Sequence, residues 1–154
     1  MSAPPPVSDV VIRAIGGGDR EIWEPLWKAY LDFYQESIPK EATEATWNRL
    51  TRTHEVEGFL ALTERGDVLG LAHFLYHPTT FREGDCCYLE DLFVVPSARG
   101  RRVGRGLIAA VVAAAKAKGV QMVYWQTEEF NGTARRLYER VAKRSPFIRY
   151  QIEI

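Results

Sequence analysis

Apolar and polar positions along the chain alternate between two periods. Val7 to Ile15 reads as a first strand, ended by Gly16-Gly-Gly18, with Asp19 following as a candidate helix cap. Ile22, Trp23, Leu26, Trp27 and Tyr30 recur at helical spacing, and Pro25 is expected to kink that helix or move its start toward Trp23. Ala45, Trp47 and Leu50 suggest a second helix from about Thr43 to Arg52. Gly58 to Thr63 and Val68 to Tyr76 flank the turn Glu64-Arg-Gly-Asp67 and together predict a hairpin.

The second half continues the alternation. A strand spans Cys86 to Val95, and a helix opening near Gly104 places Leu107, Ile108, Val111, Val112 and Ala115 on one stripe, closed by Gly119. Val120 to Gln126 reads as a buried strand. Strand, helix and strand in that order imply parallel pairing through a right-handed crossover. Asn131 or Thr133 can cap a last helix carrying Ala134, Leu137, Tyr138 and Val141, and Phe147 to Ile154 alternates like a terminal strand. The expected fold class is α/β, an α+β sandwich with a mixed central sheet flanked by helices.

Length and charge narrow this frame. The chain has 154 residues, 46% hydrophobic and 26% charged, which suits one domain over residues 7–154 behind a flexible tail at residues 1–6. Twenty basic and twenty acidic residues cancel, so no whole-chain field draws nucleic acid or an anionic membrane. No apolar run approaches the roughly 20 residues that span a bilayer, and Met1 to Val7 lacks the basic and apolar segments of a secretory signal. A cytoplasmic location is expected. Cys86 and Cys87 are neighbours on a strand and point to opposite faces, which disfavours a disulfide between them. With His54, His73 and His77 scattered, no metal site is expected, and the two thiols read as small apolar fillers.

One segment departs from ordinary patterning. Tyr88-Leu-Glu-Asp-Leu-Phe-Val-Val-Pro96 runs into Ser97-Ala-Arg-Gly-Arg-Arg-Val-Gly-Arg-Gly-Leu107, so an apolar strand, an arginine- and glycine-rich turn and a helix start follow one another. Glycines let backbone approach an anion, and a helix N-terminus offers unpaired N–H groups with a partial positive charge of about half a unit. Arginine adds charge-assisted hydrogen bonds. A basic run is also how a solvated face or a nucleic-acid patch looks, and Arg99, Arg101, Arg102 and Arg105 would then bind nucleic acid with strong salt dependence. Placement between strand and helix favours a phosphate site.

These residues resemble the GNAT superfamily of acetyl-coenzyme A dependent N-acetyltransferases, whose signature is Arg/Gln-x-x-Gly-x-Gly/Ala after a strand ending in Val-x-Pro. Arg101-x-x-Gly104-x-Gly106 fits literally. Spacing from Pro96 favours Arg99-Gly-Arg-Arg102-Val-Gly104, with Arg102 where the family usually has its first glycine. Tyr124-Trp-Gln-Thr and Asn131-Gly-Thr-Ala-Arg-Arg-Leu-Tyr138-Glu look like the family's second motif. The ending Pro146-Phe-Ile-Arg-Tyr150, with Trp27-Lys-Ala-Tyr-Leu-Asp-Phe-Tyr34 and Thr46-Trp-Asn-Arg-Leu50, is similar to the Hpa-type histone and polyamine acetyltransferases. The resemblance covers most of the chain and implies the GNAT acyl-CoA N-acyltransferase fold, with acetyl-CoA as cosubstrate and no metal.

It also implies a mechanism in which an amine attacks the thioester directly, through a tetrahedral intermediate, and coenzyme A leaves as a thiolate. An amine of pKa about 10.4 arrives protonated, so a base is needed. The resemblance assigns that role to Glu90, acting through water, ahead of Asp91, which the period of two places on the opposite face. A backbone N–H in Phe93, Val94 or Val95, freed by strand splaying, would meet the developing oxyanion. Arg99, Gly100, Arg101, Arg102, Val103, Gly104 and Arg105 would hold the pyrophosphate, and Asn131, at least a helix cap, would add a contact to the coenzyme. Tyr138 matches the family tyrosine that protonates the thiolate, although its place on an apolar helix face also suits core packing.

Substrate identity is less constrained. Asp32 and Glu36, one turn apart on the first helix, are candidates for a cationic amine, and that spacing equally describes a solvated face. Trp27, Tyr30, Phe33 and Tyr34 can wall a substrate stem, form a dimer contact or simply pack the core. His77 precedes Pro78 where diamine-specific relatives are expected to carry an acid, which disfavours long polyamines; it is either a pH-sensitive substrate contact or a loop residue. The expected partner is a small-molecule or peptide amine, with no nucleic acid and no membrane. A catalytically silent acyl-CoA module is the alternative. The alternating C-terminal run would be an edge liability if uncovered, so a homodimer is expected.

Overall fold

A computed structural model describes residues 9–154; the tail at residues 1–6 and the start of the first strand at Val7 lie outside the described residues. Strand β1 is Val10–Ala14, and after a short 3-10 turn comes helix α1, Arg20–Phe33. Pro25 does not break α1. It sits early in the helix, where its missing N–H would have bonded the carbonyl of Glu21, and the helix starts at Arg20 rather than near Trp23. Asp19 occupies the cap position, but its carboxylate accepts from Gly16 N–H at 2.7 Å and from Arg13 instead of capping α1.

Helix α2, Lys40–Asn48, starts earlier than Thr43 and runs into a wide π turn, Arg49–Thr53. The hairpin forms as expected from β2, Glu57–Thr63, and β3, Val68–His77. Strand β4 is Cys86–Val94, α3 is Val103–Ala117, β5 is Val123–Tyr124 and α4 is Gly132–Val141. The sheet order is β1-β2-β3-β4-β5, antiparallel except for the parallel pair β4–β5.

Two expected strands are corrected. Val120 to Gln126 yields a strand only at Val123–Tyr124, and Phe147 to Ile154 forms none and is exposed throughout. An alternating run becomes a strand only when a neighbouring edge accepts its hydrogen bonds, and β5 is too short to offer one.

Helices cover both faces of the sheet. On one, Trp23, Leu26 and Trp27 of α1 pack with Leu50 on Leu60, Leu71 and Phe93. On the other, Val103, Leu107, Ile108, Val111 and Ala115 of α3 pack on Ala61, Ala72, Phe74 and Leu89, with Leu137, Tyr138 and Val141 of α4 at the margin. Leu107 and Val111 are fully buried, each stabilising the fold by about 1.5–3 kcal/mol. Cys86 and Cys87 are both buried and free, and burial pushes the Cys87 thiol up to about 11, so it stays a packed, protonated thiol.

Candidate active site

The site begins with a defect in β4. Against β3, His73 faces Asp91 while Phe74 faces Leu89, so Glu90 is an extra residue without a partner. A bulge of this kind shifts everything beyond it by one. Before it, Cys87 N–H donates to the Met122 carbonyl at 2.9 Å, toward β5; beyond it, Val95 N–H donates to the Leu69 carbonyl at 2.9 Å, toward β3. Side chains turn over too. Cys87 and Leu89 pack under α3, whereas Phe93 packs under α1.

Pairing with β5 covers only Cys87 and Tyr88. Past that point the parallel strands part, and alternation turns the N–H groups of Leu92 and Val94 into the opening. Within the expected stretch Phe93 to Val95, the free donor is therefore Val94. Val95 is committed to Leu69, and Phe93 faces β3 by the same alternation.

The arginine- and glycine-rich turn leads from the open end of β4 into α3. Gly100 has φ +84° and Arg102 φ +61°, both left-handed, and α3 begins at the next residue. A left-handed backbone is where glycine costs least, which gives a physical reason for a glycine preference at position 102 and supports the register Arg99 to Gly104. Arg102 has no side-chain capping bond. Gly106 N–H closes the first helical bond to the Arg102 carbonyl at 3.0 Å, so the N–H groups of Val103, Gly104 and Arg105 precede the helical ladder and suit an anion. Arg99 lies over the Phe33 ring and Arg101 pairs with Asp9 at 2.6 Å, while Arg102 and Arg105 are exposed. The turn has donors enough for a pyrophosphate, beside the end of β4 that β5 leaves unpaired.

Tyr138 flanks the same opening from α4. Its ring meets Trp125, just past β5, edge-on at 5.4 Å, and burial, then Tyr34, pushes its pKa up to about 12. It holds its proton at neutral pH. No buried side-chain polar atom among the described residues lacks a partner, so the Tyr138 hydroxyl, which makes no hydrogen bond there, reaches solvent. Asn131 caps α4 by accepting from Ala134 N–H at 3.4 Å.

The carboxylates sit where the bulge puts them. The expected opposition of Glu90 and Asp91 fails because the bulge interrupts the period of two, and the two carboxyls feel each other's charge. Glu90 opens to solvent; partial desolvation, then Asp91, pushes its pKa up, while Arg149 opposes. Asp91 is nearly enclosed. Its Oδ1 accepts from the Tyr30 hydroxyl at 2.7 Å, and its Oδ2 lies 2.9 Å from His73 Nδ1. His73 Nε2 in turn lies 3.0 Å from the indole Nε1 of Trp23. Burial, then the charge of Asp91, raises the pKa of Tyr30 strongly.

Sequence reasoning missed His73 and Trp23. The available signal was a histidine inside the apolar run Leu69 to Tyr76, since a buried polar group demands a partner. Tyr34, expected as a substrate wall, a dimer contact or a core residue, has its pKa raised by burial, then Glu128 and Asp91. His77 ends β3 with both ring nitrogens engaged, Nδ1 donating to the Pro78 carbonyl at 2.7 Å and Nε2 hydrogen-bonded with the Tyr124 hydroxyl at 2.6 Å. Asp32 and Glu36 do not share a helix. Gln35, at φ +54°, ends the turn after Phe33, leaving Glu36 outside α1 with both carboxylates exposed. Shallow recesses elsewhere, one lined by Arg82 to Asp85 with Gly119 and Gln121, lie away from the parted strands. No group of three metal-ligating side chains converges among the described residues.

Comparison with known proteins gives consistent matches. The model of the acetyltransferase (GNAT) family matches residues 23–142. The D-amino-acid N-acetyltransferase HPA3 of Saccharomyces cerevisiae is 38% identical over 92% of this chain and 89% of its own length. The uncharacterized N-acetyltransferase YhfO of Bacillus subtilis is 30% identical over 84% of this chain and 86% of its own. A crystal structure of a probable acetyltransferase superposes with a TM-score of 0.84 at 24% identity, covering 94% of this chain and 97% of the other.

Proposed function

The chain belongs to the GNAT acetyltransferase family, and from that membership we propose that it moves an acetyl group from acetyl-CoA directly to the primary amine of a small molecule or a lysine-like side chain. The observation that carries the reading is the parting of β4 from β5 beyond Tyr88, beside the open N-terminus of α3. Acetyl-CoA supplies the activated acyl group and a thiolate leaving group.

The chain's own residues then divide the work. N–H groups of Val103, Gly104 and Arg105 hold the pyrophosphate, aided by the exposed Arg102 and Arg105. Val94 N–H, with Leu92 beside it, donates to the carbonyl oxygen as charge builds there. Glu90, raised above the ordinary carboxyl range yet open to water, takes the amine's proton through water. Tyr138 gives its proton to the departing sulfur. Asp91 and Tyr30 face the amine. Direct attack suits the cysteines, which are buried and packed.

A free amino acid is the favoured substrate class, because the relative with 38% identity is named a D-amino-acid N-acetyltransferase. Free-thiol release from acetyl-CoA, measured with D- and L-amino acids, polyamines, aminoglycosides and a lysine peptide, tests this. Release with amino acids alone is expected; coenzyme binding without release from any amine would favour a silent module instead. We further propose a single domain over residues 7–154, a cytoplasmic setting where acetyl-CoA is made, no nucleic-acid partner, and a homodimer that covers the exposed Phe147, Ile148, Tyr150, Ile152 and Ile154. A monomeric mass in solution with coenzyme present would count against the dimer.

A further inference from the structure

His73 is the only buried polar side chain of the core among the described residues, 1% exposed, and the role assigned to the site does not use it. Its neighbours fix its chemistry. The Trp23 indole nitrogen, 3.0 Å from Nε2, can only donate, so Nε2 must accept and carries no proton. The single ring proton is then on Nδ1, which donates to Asp91 Oδ2 at 2.9 Å. An imidazolium would aim a second N–H at the indole N–H. Tyr30 donates to the other carboxylate oxygen at 2.7 Å.

We infer that His73 and Trp23 are positioning residues of the proposed amine site, holding Asp91 oriented by neutral donors and leaving its negative charge for the ammonium group of the substrate. The inference rests on reading the parted strands as an N-acetyltransferase site. An arginine or lysine in place of His73 would orient Asp91 equally well but cancel its charge. Neutral donors stabilise the carboxylate without cancelling it, and a carboxylate so enclosed favours the arrival of a cation. The Asp91 side chain keeps 13% of its surface exposed, the route by which that cation reaches it. The titratable groups that sense Asp91 are Glu90 and Tyr88 on β4, Tyr30 on α1 and Tyr34 just past its end; Arg149 acts on Glu90, and Glu128 on Tyr34.

Two measurements test the inference. Nitrogen NMR of the His73 ring in the wild-type protein should report the neutral Nδ1–H tautomer at pH 7, whether or not a substrate is known. Trp23→Phe removes the indole donor and lets Nε2 take a proton, so His73 becomes a cation that neutralises Asp91. The kcat/KM for the amine, relative to wild type, should then fall about tenfold between pH 8.5 and 5.5. That loss should appear in the KM for amine while the KM for acetyl-CoA stays put. An Nε2–H or doubly protonated ring in the wild type at pH 7, or a Trp23→Phe deficit of equal size at every pH, would overturn the inference while leaving the enzyme an acetyltransferase. If no amine is acetylated by the wild type, the acetyltransferase reading falls and this one with it. Should Trp23→Phe not fold, the ring measurement on the wild-type protein decides alone.

Discussion

Gly104 and Leu137 bring the N-terminal end of α3 directly against α4. A Cβ at position 104 would stand 3.2 Å from Leu137 Cδ2 and 3.6 Å from Val94 Cγ2. The proposed backbone cradle, the helix that carries Tyr138 and the strand that carries Val94 therefore meet at one residue without a side chain. Gly104→Val should push them apart, costing about 1–3 kcal/mol of stability and raising the KM for acetyl-CoA more than the KM for amine. Thermal melts and two-substrate kinetics check this; a variant with wild-type KM for acetyl-CoA would contradict it.

Tyr138→Phe keeps the packing against Trp125 and removes only the hydroxyl, the proposed proton donor. Turnover should fall on the order of 10² while coenzyme affinity changes little, as seen by steady-state kinetics alongside calorimetric binding. Because burial holds the phenol near 12, wild-type activity should show no alkaline loss from this group below about pH 10.5. Unchanged turnover in the variant would remove Tyr138 from the chemistry.

Glu90 predicts the acid side of the pH profile. Below its pKa the carboxyl is protonated and accepts nothing, so kcat/KM should fall as pH falls. Desolvation and the neighbouring Asp91 charge place that limb above the ordinary carboxyl value of 4.5. Glu90→Gln should abolish the limb and lower kcat by about 10². If the limb survives in the variant, the base is another group.

Arg102 carries a left-handed backbone on a branched-at-Cβ-free but full side chain, and Arg102→Gly should relieve about 1 kcal/mol of strain, raising Tm by roughly 2–4 °C. Coenzyme affinity should drop less than tenfold, since backbone N–H groups form the cradle. A larger drop would mean that the Arg102 guanidinium itself grips the pyrophosphate.

The turn from Pro96 to Gly106 was legible in the sequence because its signals are local: a strand end, glycine and arginine spacing, and a helix start. The helices were legible for the same reason, and Pro25 misled only about where α1 begins. The bulge at Glu90 was not legible, since it exists only in the pairing of β3 with β4, and with it went the relation of Glu90 to Asp91. Trp23 and His73 stand 50 positions apart, beyond any periodicity. Phe147 to Ile154 shows the converse, a strand pattern that the two-residue edge of β5 does not complete.

The most direct test is a crystal structure with acetyl-CoA bound. The pyrophosphate is expected on the N–H groups of Val103 to Arg105 and the thioester carbonyl oxygen within about 3 Å of Val94 N–H, between β4 and β5. Coenzyme bound elsewhere, or a thioester outside the parted strands, would contradict it.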